Sequence, residues 1–182
     1  MKRFNYKFAF FYILLAFQMA CGQTQDVKSQ NTKTDARVEN AKNQADKMFD
    51  YIADKSNYEK VADFAHPKAI EMGGGREKYI ESMKQAYQSA FANFESFSWK
   101  TEEPQSLTEI DKDLYIVIPR TLEAVSHKKN RVVQTGYLVG ISTDTGENWK
   151  FVNGKYFNEL FPTLAGKIQI PKDKVFINGI EQ

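Results

Sequence analysis

Residues 114–154 read LYIVIPRTLEAVSHKKNRVVQTGYLVGISTDTGENWKFVNG. Runs rich in Val, Ile, Thr and aromatic residues are divided here by polar turns at residues 127–130 and 144–146. Side chains that branch at Cβ or carry rings fit a pleated, half-buried surface, whereas Asn, Asp, Gly and Ser supply the turns. The pattern predicts strands from Leu114, from Arg131 to Ser142, and through Trp149 and Val152. Short polar connections join antiparallel neighbours, so the segment reads as a meander. An antiparallel meander needs cover on at least one face, and the segment before it supplies helices for that purpose. The expected class is α+β.

Upstream, Ala41, Ala45, Met48, Phe49 and Ile52 recur at helical spacing, with Lys42, Asp46, Lys47 and Asp50 between them. This is one stripe of an amphipathic helix starting near Ala36. Ser56 or Asn57 can cap a second, shorter helix carrying Tyr58, Val61, Ala62 and Phe64, which His66-Pro67 ends. Residues 68–72 alternate enough to suggest a short strand. Gly73, Gly74 and Gly75 then break the chain before a third helix with Tyr79, Ile80, Met83, Ala86, Tyr87, Ala90 and Phe91 at spacings of three and four. A phosphate loop is disfavoured at these glycines, since no Lys-Ser/Thr follows at the required offset, and a turn that lets the helix fold back across the sheet is the preferred reading. From Phe94 the period becomes two, with Phe97 and Trp99 on one face and Ser98 and Lys100 on the other. That strand is expected to run past Glu102 to a turn at residues 108–113, and Pro104 marks an edge or a bulge.

The chain begins MKRFNYKFAFFYILLAFQMA, with Lys2, Arg3 and Lys7 ahead of an apolar run from Phe8 to Phe17. A spanning helix needs ~20 apolar residues and this run is about half that, so residues 1–20 read as a signal peptide. The single cysteine, Cys21, follows Ala20 directly and has no partner for an internal disulfide. The segment resembles a bacterial lipoprotein signal: a small residue before the cysteine, Gly22 after it, and an apolar run ahead. It departs from that pattern at Gln18, where an aliphatic residue is preferred. The resemblance implies that Cys21 becomes an acylated N-terminus anchored in the membrane of the cell envelope, the outer membrane in a Gram-negative cell. The competing readings are an ordinary secretory signal and a short buried segment with an incidental cysteine.

Without residues 1–20 there remain 22 basic and 23 acidic residues, a net charge of −1. The positive balance of the whole chain belongs to the signal, and nothing in the remainder points to a nucleic-acid partner. Residues 21–35 are polar and aperiodic, with Val27 as the one aliphatic residue, which suits a flexible tether. Beyond Cys21 there is no cysteine and no His/Asp/Glu cluster, so neither a metal nor a cofactor is expected.

Helix, helix, a short segment after His-Pro, a glycine turn, a long helix and long strands closing in Asn148-Trp149-Lys150-Phe151-Val152-Asn153-Gly154 resemble the nuclear transport factor 2-like superfamily. The resemblance covers residues 36–154 and includes the stretch DFAHPKAIEMGGG. It implies a cone: a strongly curved antiparallel sheet wrapped around the N-terminal helices, with a pocket at the open end. Members range from isomerases, hydrolases and dehydratases to transport and dimerisation modules, so fold does not give function. Residues 155–182 extend beyond the minimal cone. Tyr156, Phe157, Leu160 and Phe161 sit at helical spacing before Pro162, and residues 167–170 and 174–177 are β-prone pieces of an arm lying over the domain or across a second copy.

Enzymes of that superfamily set a buried carboxylate or histidine, its pKa moved toward neutrality, against an acid or oxyanion donor. No such pair can be assigned here. His66 ends the second helix as a polar termination or a residue of the pocket mouth; His127 lies in a polar turn; Asp54 and Asp63 fall on the first two helices, near where the resemblance implies a base in some enzymes, although no motif assigns either one and a surface position is the favoured reading. Arg120 interrupts the apolar face Leu114, Ile116, Ile118, Leu122 and Ala124, where a guanidinium needs a carboxylate or a bound anion, unless a bulge at Pro119 turns it outward. Tyr115, Tyr137 and Trp149 are candidates to line the pocket, although aromatics on strands are more often core. The expected function is a membrane-anchored, non-catalytic domain for a small apolar or anionic ligand or a partner protein. A pocket enzyme and a dimerisation module are the alternatives.

If Cys21 is the lipid attachment point, Cys21→Ser abolishes incorporation of a fatty-acid analogue into the expressed protein. Persistent labelling refutes the assignment.

Overall fold

The computed structural model describes residues 35–182, apart from 56 and 106. The expectations for the signal, for lipidation at Cys21 and for most of the tether concern residues outside that range. Asp35 starts the first helix, its side chain accepting the Arg37 N–H at 2.9 Å. Helix α1 (Ala36–Ala53) buries Ala41, Ala45, Met48, Phe49 and Ile52, the stripe that the sequence spacing predicts. Helix α2 (Tyr58–Phe64) follows and buries Tyr58, Val61 and Ala62.

Residues 68–72, expected as a short strand, are instead the body of a helix, α3 (Pro67–Met72). Proline is well placed in a first helical turn, where its missing N–H needs no partner. His66 completes the start by accepting the Lys68 N–H on Nδ1 at 3.2 Å. Six residues cannot display a helical period clearly, and their apolar positions look like alternation. Gly74 and Gly75 then take φ of 83° and 99°, backbone conformations that suit glycine, and release the chain into α4 (Arg76–Phe91).

The strands form one antiparallel sheet: β1 (Phe94–Thr101), β2 (Thr108–Ile110), β3 (Asp113–Ser126), β4 (Arg131–Ser142), β5 (Lys150–Asn153), β6 (Lys174–Ile177) and β7 (Ile180–Glu181). Helix α5 (Gly154–Leu160) and a 3-10 turn at Pro162–Leu164 separate β5 from β6. The described residues therefore make an α+β structure of five α-helices and a seven-stranded antiparallel sheet, rather than the four strands of a simple meander. None of the described helices is long and apolar enough to cross a membrane.

The long β3–β4 hairpin is the spine, and each of its outer sides carries two shorter neighbours. Along β3, β1 pairs with residues 120–126 and β2 with residues 113–115. Between them the chain still donates from Glu102 and Gln105 N–H to the Pro119 and Val117 carbonyls, both at 2.8 Å, so the irregularity around Pro104 interrupts one track. Along β4, β5 pairs with residues 138–141 and β6 with residues 132–135. The segment after Gly154 thus adds strands to the sheet itself.

Both faces of the spine are covered. Leu114, Ile116, Ile118 and Leu138 join α1, Trp149 and Phe151 on one side. Tyr115, Val117, Val139, Ile141 and Val152 meet Phe157, Phe161, Leu164 and Ile168 on the other. Two-sided burial accounts for the near-continuous apolar run LYIVI, where a one-sided sheet shows strict alternation. Pro119 pairs with Tyr137 and Arg120 with Gly136 in unbroken register, so no bulge turns the arginine outward.

The turn before β5 fastens α1 to the sheet. Asn40 donates to the Gly146 and Glu147 carbonyls at 2.8 and 2.9 Å, Gln44 donates to Glu147 O at 2.8 Å, and the Trp149 N–H donates to Gln44 Oε1 at 3.1 Å. Trp149 Nε1 donates to Gly146 O at 3.0 Å, and its ring lies in the core against Gly140. A Cβ on Gly140 would stand 2.9 Å from Ile116 Cγ2 and 3.1 Å from both Phe151 and Trp149, with no open side to move into. Gly140→Ala is therefore expected to destabilise the fold by about 1–3 kcal/mol through overpacking, read as a lower denaturation midpoint at unchanged slope.

Candidate functional site

A cavity of about 340 Å³ lies between the helices and the sheet. Its wall is assembled from Met48, Phe49 and Ile52 of α1, Val61 of α2, Ala69 and Met72 of α3, and Tyr79, Ser82, Met83 and Tyr87 of α4. Arg120 of β3, Leu138 of β4, residues 151–153 of β5, and Tyr156 and Leu160 of α5 complete it. Helix α4 explains why the space stays open. Its apolar stripe predicts a buried face, yet none of its residues is fully buried, because Tyr79, Met83 and Tyr87 look into the cavity. Met72 and Tyr156, exposed by 49% and 40%, are two of the large apolar side chains left at the surface, and both stand at this cavity, where they form its rim.

Arg120 is the one charged side chain in the wall. It is only 8% exposed, and its Nε–H has no hydrogen-bond partner. The guanidinium carbon lies 5.1 Å from the centre of the Trp99 ring, a cation–π contact that offsets part of its desolvation. Burial lowers its pKa from the ordinary arginine value, opposed by the Tyr87 phenol and the Asp173 carboxylate. Gly136, the cross-strand partner, makes room for it: a Cβ there would come 3.2 Å from Arg120 Nη2 and 3.4 Å from the Asp173 carboxyl carbon. Tyr87, half-buried as a residue, has its phenol pushed up to about 12 by desolvation, with Arg120 pulling the other way. It is a neutral hydrogen-bond donor at physiological pH.

Of the residues expected at the pocket, Arg120 lines the cavity. Tyr115 and Tyr137 belong to the opposite face of the sheet, with Phe157 and Phe161. Trp149 is 1% exposed and is held in the core by its bond to Gly146. His66 lies beside the wall rather than in it, capping α3 with its ring edge-on to Phe161 at 5.1 Å between centroids. His127 approaches the Ala92 carbonyl at 3.0 Å on the surface. Asp63 pairs with Arg76 at 2.7 Å and is exposed, and Asp54 is bonded by Asn57 at the end of α1. Sequence reasoning missed Tyr79, Ser82, Met83 and Tyr87. The spacing of Tyr79, Met83 and Tyr87 was legible, but a helical stripe facing a void looks the same in sequence as one facing a core, and Ser82 carries no apolar signal at all.

No Asp, Glu or His stands in the wall. Among the described residues, no group of three His, Cys, Asp or Glu is placed to hold a metal ion. What the arrangement offers is an apolar chamber with one buried cation, the Tyr87 phenol near it, and a rim that includes Met72 and Tyr156. No family model matches the chain, and no curated protein or solved structure matches it either.

His66 gives a pH test of its structural role. Burial and the nearby Lys68 and Lys150 lower its pKa below 6.5, against a weaker pull from Asp113. The folded state therefore holds the neutral ring, and the unfolded chain binds the proton more readily. The associated stability is intact above pH 6.5 and is lost as the pH falls through the lowered value. Urea midpoints measured from pH 7.5 to 5 should fall with pH, and His66→Asn, which can still cap α3, should flatten that slope.

Proposed function

We propose that this chain is a lipid-anchored envelope protein of the nuclear transport factor 2-like kind, whose cone-shaped domain binds a small, largely apolar ligand in the chamber at Arg120 without transforming it. The fold assignment is supported by the order of elements: helices first, a glycine turn before the long helix, then long antiparallel strands. The anchoring assignment is supported by the resemblance of residues 1–22 to a lipoprotein signal.

One observation carries the ligand reading: a wall that is apolar throughout except for a few polar groups, one of them a buried cation with an unmet N–H. Protein interiors close-pack, so an open apolar space of this size is unusual and suits an occupant. A volume of about 340 Å³ sits at the lower end of the ~300–1,000 Å³ typical of ligand sites, which suits a small molecule. The enzyme alternative needs a proton acceptor of near-neutral pKa in contact with the ligand. The wall supplies none, since its titratable groups are an arginine and tyrosines. A purely structural domain, in turn, would be expected to fill its interior with its own aromatic side chains.

Native mass spectrometry of the intact, gently solubilised chain should show an added small mass that denaturation releases. Ser82, on the exposed flank of α4 but in the cavity wall, is the position from which to block the site. Ser82→Trp should remove the added mass while leaving the melting temperature within a few degrees. A wild-type chain with no releasable mass and no affinity for apolar probes refutes the reading.

A further inference from the structure

We propose that the ligand of this cavity is a singly charged carboxylate on an apolar body, selected by Arg120 and limited to one negative charge by Asp173. This rests on the reading that the chamber binds a ligand. Desolvating a guanidinium is costly unless its N–H groups find acceptors and its charge finds a counter-ion. At Arg120 the protein supplies a ring face, Trp99, but no acceptor for Nε. Trp99 Nε1 beside it is also buried without a partner. The guanidinium fork presents Nε–H and one Nη–H in parallel, and the two oxygens of a carboxylate match that spacing. A neutral ligand without an acceptor oxygen would leave the Nε–H of that cation unmet.

The charge count sets the other limit. No lysine, histidine or second arginine stands in the wall, so a ligand with two negative charges would bury one of them unpaired. Asp173 adds to this selection. It flanks the point above Gly136 that Arg120 Nη2 also borders, and it acts on Arg120 through its charge, without a hydrogen bond. Its charge weakens the pull of the arginine on any anion, and a second negative charge, which Arg120 cannot also pair, is left against that repulsion. Tyr87 lines the same wall and can give its O–H to an anion held there, since burial keeps the phenol protonated. The remaining lining is aliphatic or aromatic apart from Ser82 and Asn153, so the body of the ligand is apolar.

The test is calorimetric titration of the intact chain at pH 8 with octanoate, octanol and octyl phosphate, which have nearly the same alkyl body and carry one, no and two negative charges respectively. Octanoate should bind about 10- to 100-fold tighter than octanol, and at least about tenfold tighter than octyl phosphate. Arg120→Met should bring octanoate down to the level of octanol and leave octanol within a few fold. Asp173→Asn should narrow the gap between octyl phosphate and octanoate by about two- to fivefold, as expected of an exposed charge. Gly136→Ala keeps the cation but crowds it, and should weaken octanoate without weakening octanol. That variant and the wild-type ranking decide the matter if Arg120→Met fails to fold. Equal affinity for octanoate and octanol, or tightest binding of octyl phosphate, overturns the inference while ligand binding stands. Binding of none of the three overturns the inference, and it overturns the ligand-binding reading as well only if the native mass measurement is also blank.

Discussion

The constraint on which this structure depends is that the β3–β4 hairpin is buried on both faces where residues 114–118 run beside 138–142. In a sheet with one wet face, a register slip of one residue exposes apolar side chains and hides polar ones. Here the slip would be worse. Arg120 would enter the cluster around Phe157 and Phe161, and Tyr115 would be driven into α1. Successive side chains have separate destinations, so twelve consecutive cross-strand pairs from Leu114 to Val125 keep one register. On the helix-facing row of β4, glycine stands at 136 and again at 140, with Leu138 between them. The space left at 140 takes the Trp149 ring, and the space left at 136 takes the Arg120 guanidinium. One vacancy serves the core and the other serves the cavity.

Polar groups are treated differently at the two ends of the helix-facing side. At the turn before β5, satisfaction is nearly complete. Asp144 accepts from the Asn148 backbone and side chain and from Ser142, which holds its carboxyl down at about 2, while Trp149 and the Gly146 N–H find partners nearby. Around the cavity the pattern reverses. Among the described residues, the buried side-chain nitrogens and oxygens without partners are Tyr58 Oη, Trp99 Nε1 and Arg120 Nε. Trp99 stacks on Phe49 and faces Arg120, while Tyr58 stacks on Tyr87. Unmet hydrogen-bonding capacity is thus concentrated beside one chamber, where local rules are broken in the way functional sites break them.

Much of the architecture was legible in the sequence because its signals are long. The α1 stripe, the bounds of β4 at Arg131 and Ser142, and the inward face of β3 including Arg120 all follow from periodicity sustained over ten residues or more. Short elements were not legible. Residues 68–72 looked like alternation until Pro67 and His66 were seen to start a helix, and β2 and β7, of three and two residues, carry no period at all. The site was legible through its charge, since an arginine in an apolar row is conspicuous. Its aromatic members were misjudged because sequence shows that a residue is inward but not which of two interiors it enters. Tyr115 and Tyr137 point to the second interior, created by residues 154–168, whose helical spacing does not say which face of the sheet they cover.

The attachment of α1 has a consequence for how the chain reaches this state. The hydrogen bonds that dock α1 join residues 103 to 107 positions apart. During synthesis from the N-terminus, that helix emerges with its apolar stripe uncovered and must wait for most of the domain to follow. Closing so long a loop carries an entropic cost that only the finished turn and strand can repay. Early folding of α1 therefore has little to hold it, and the nascent segment presents an amphipathic surface suited to a holding chaperone. Assembly becomes a late, nearly all-or-none event, in which the first helix to be made is among the last to be fixed in place.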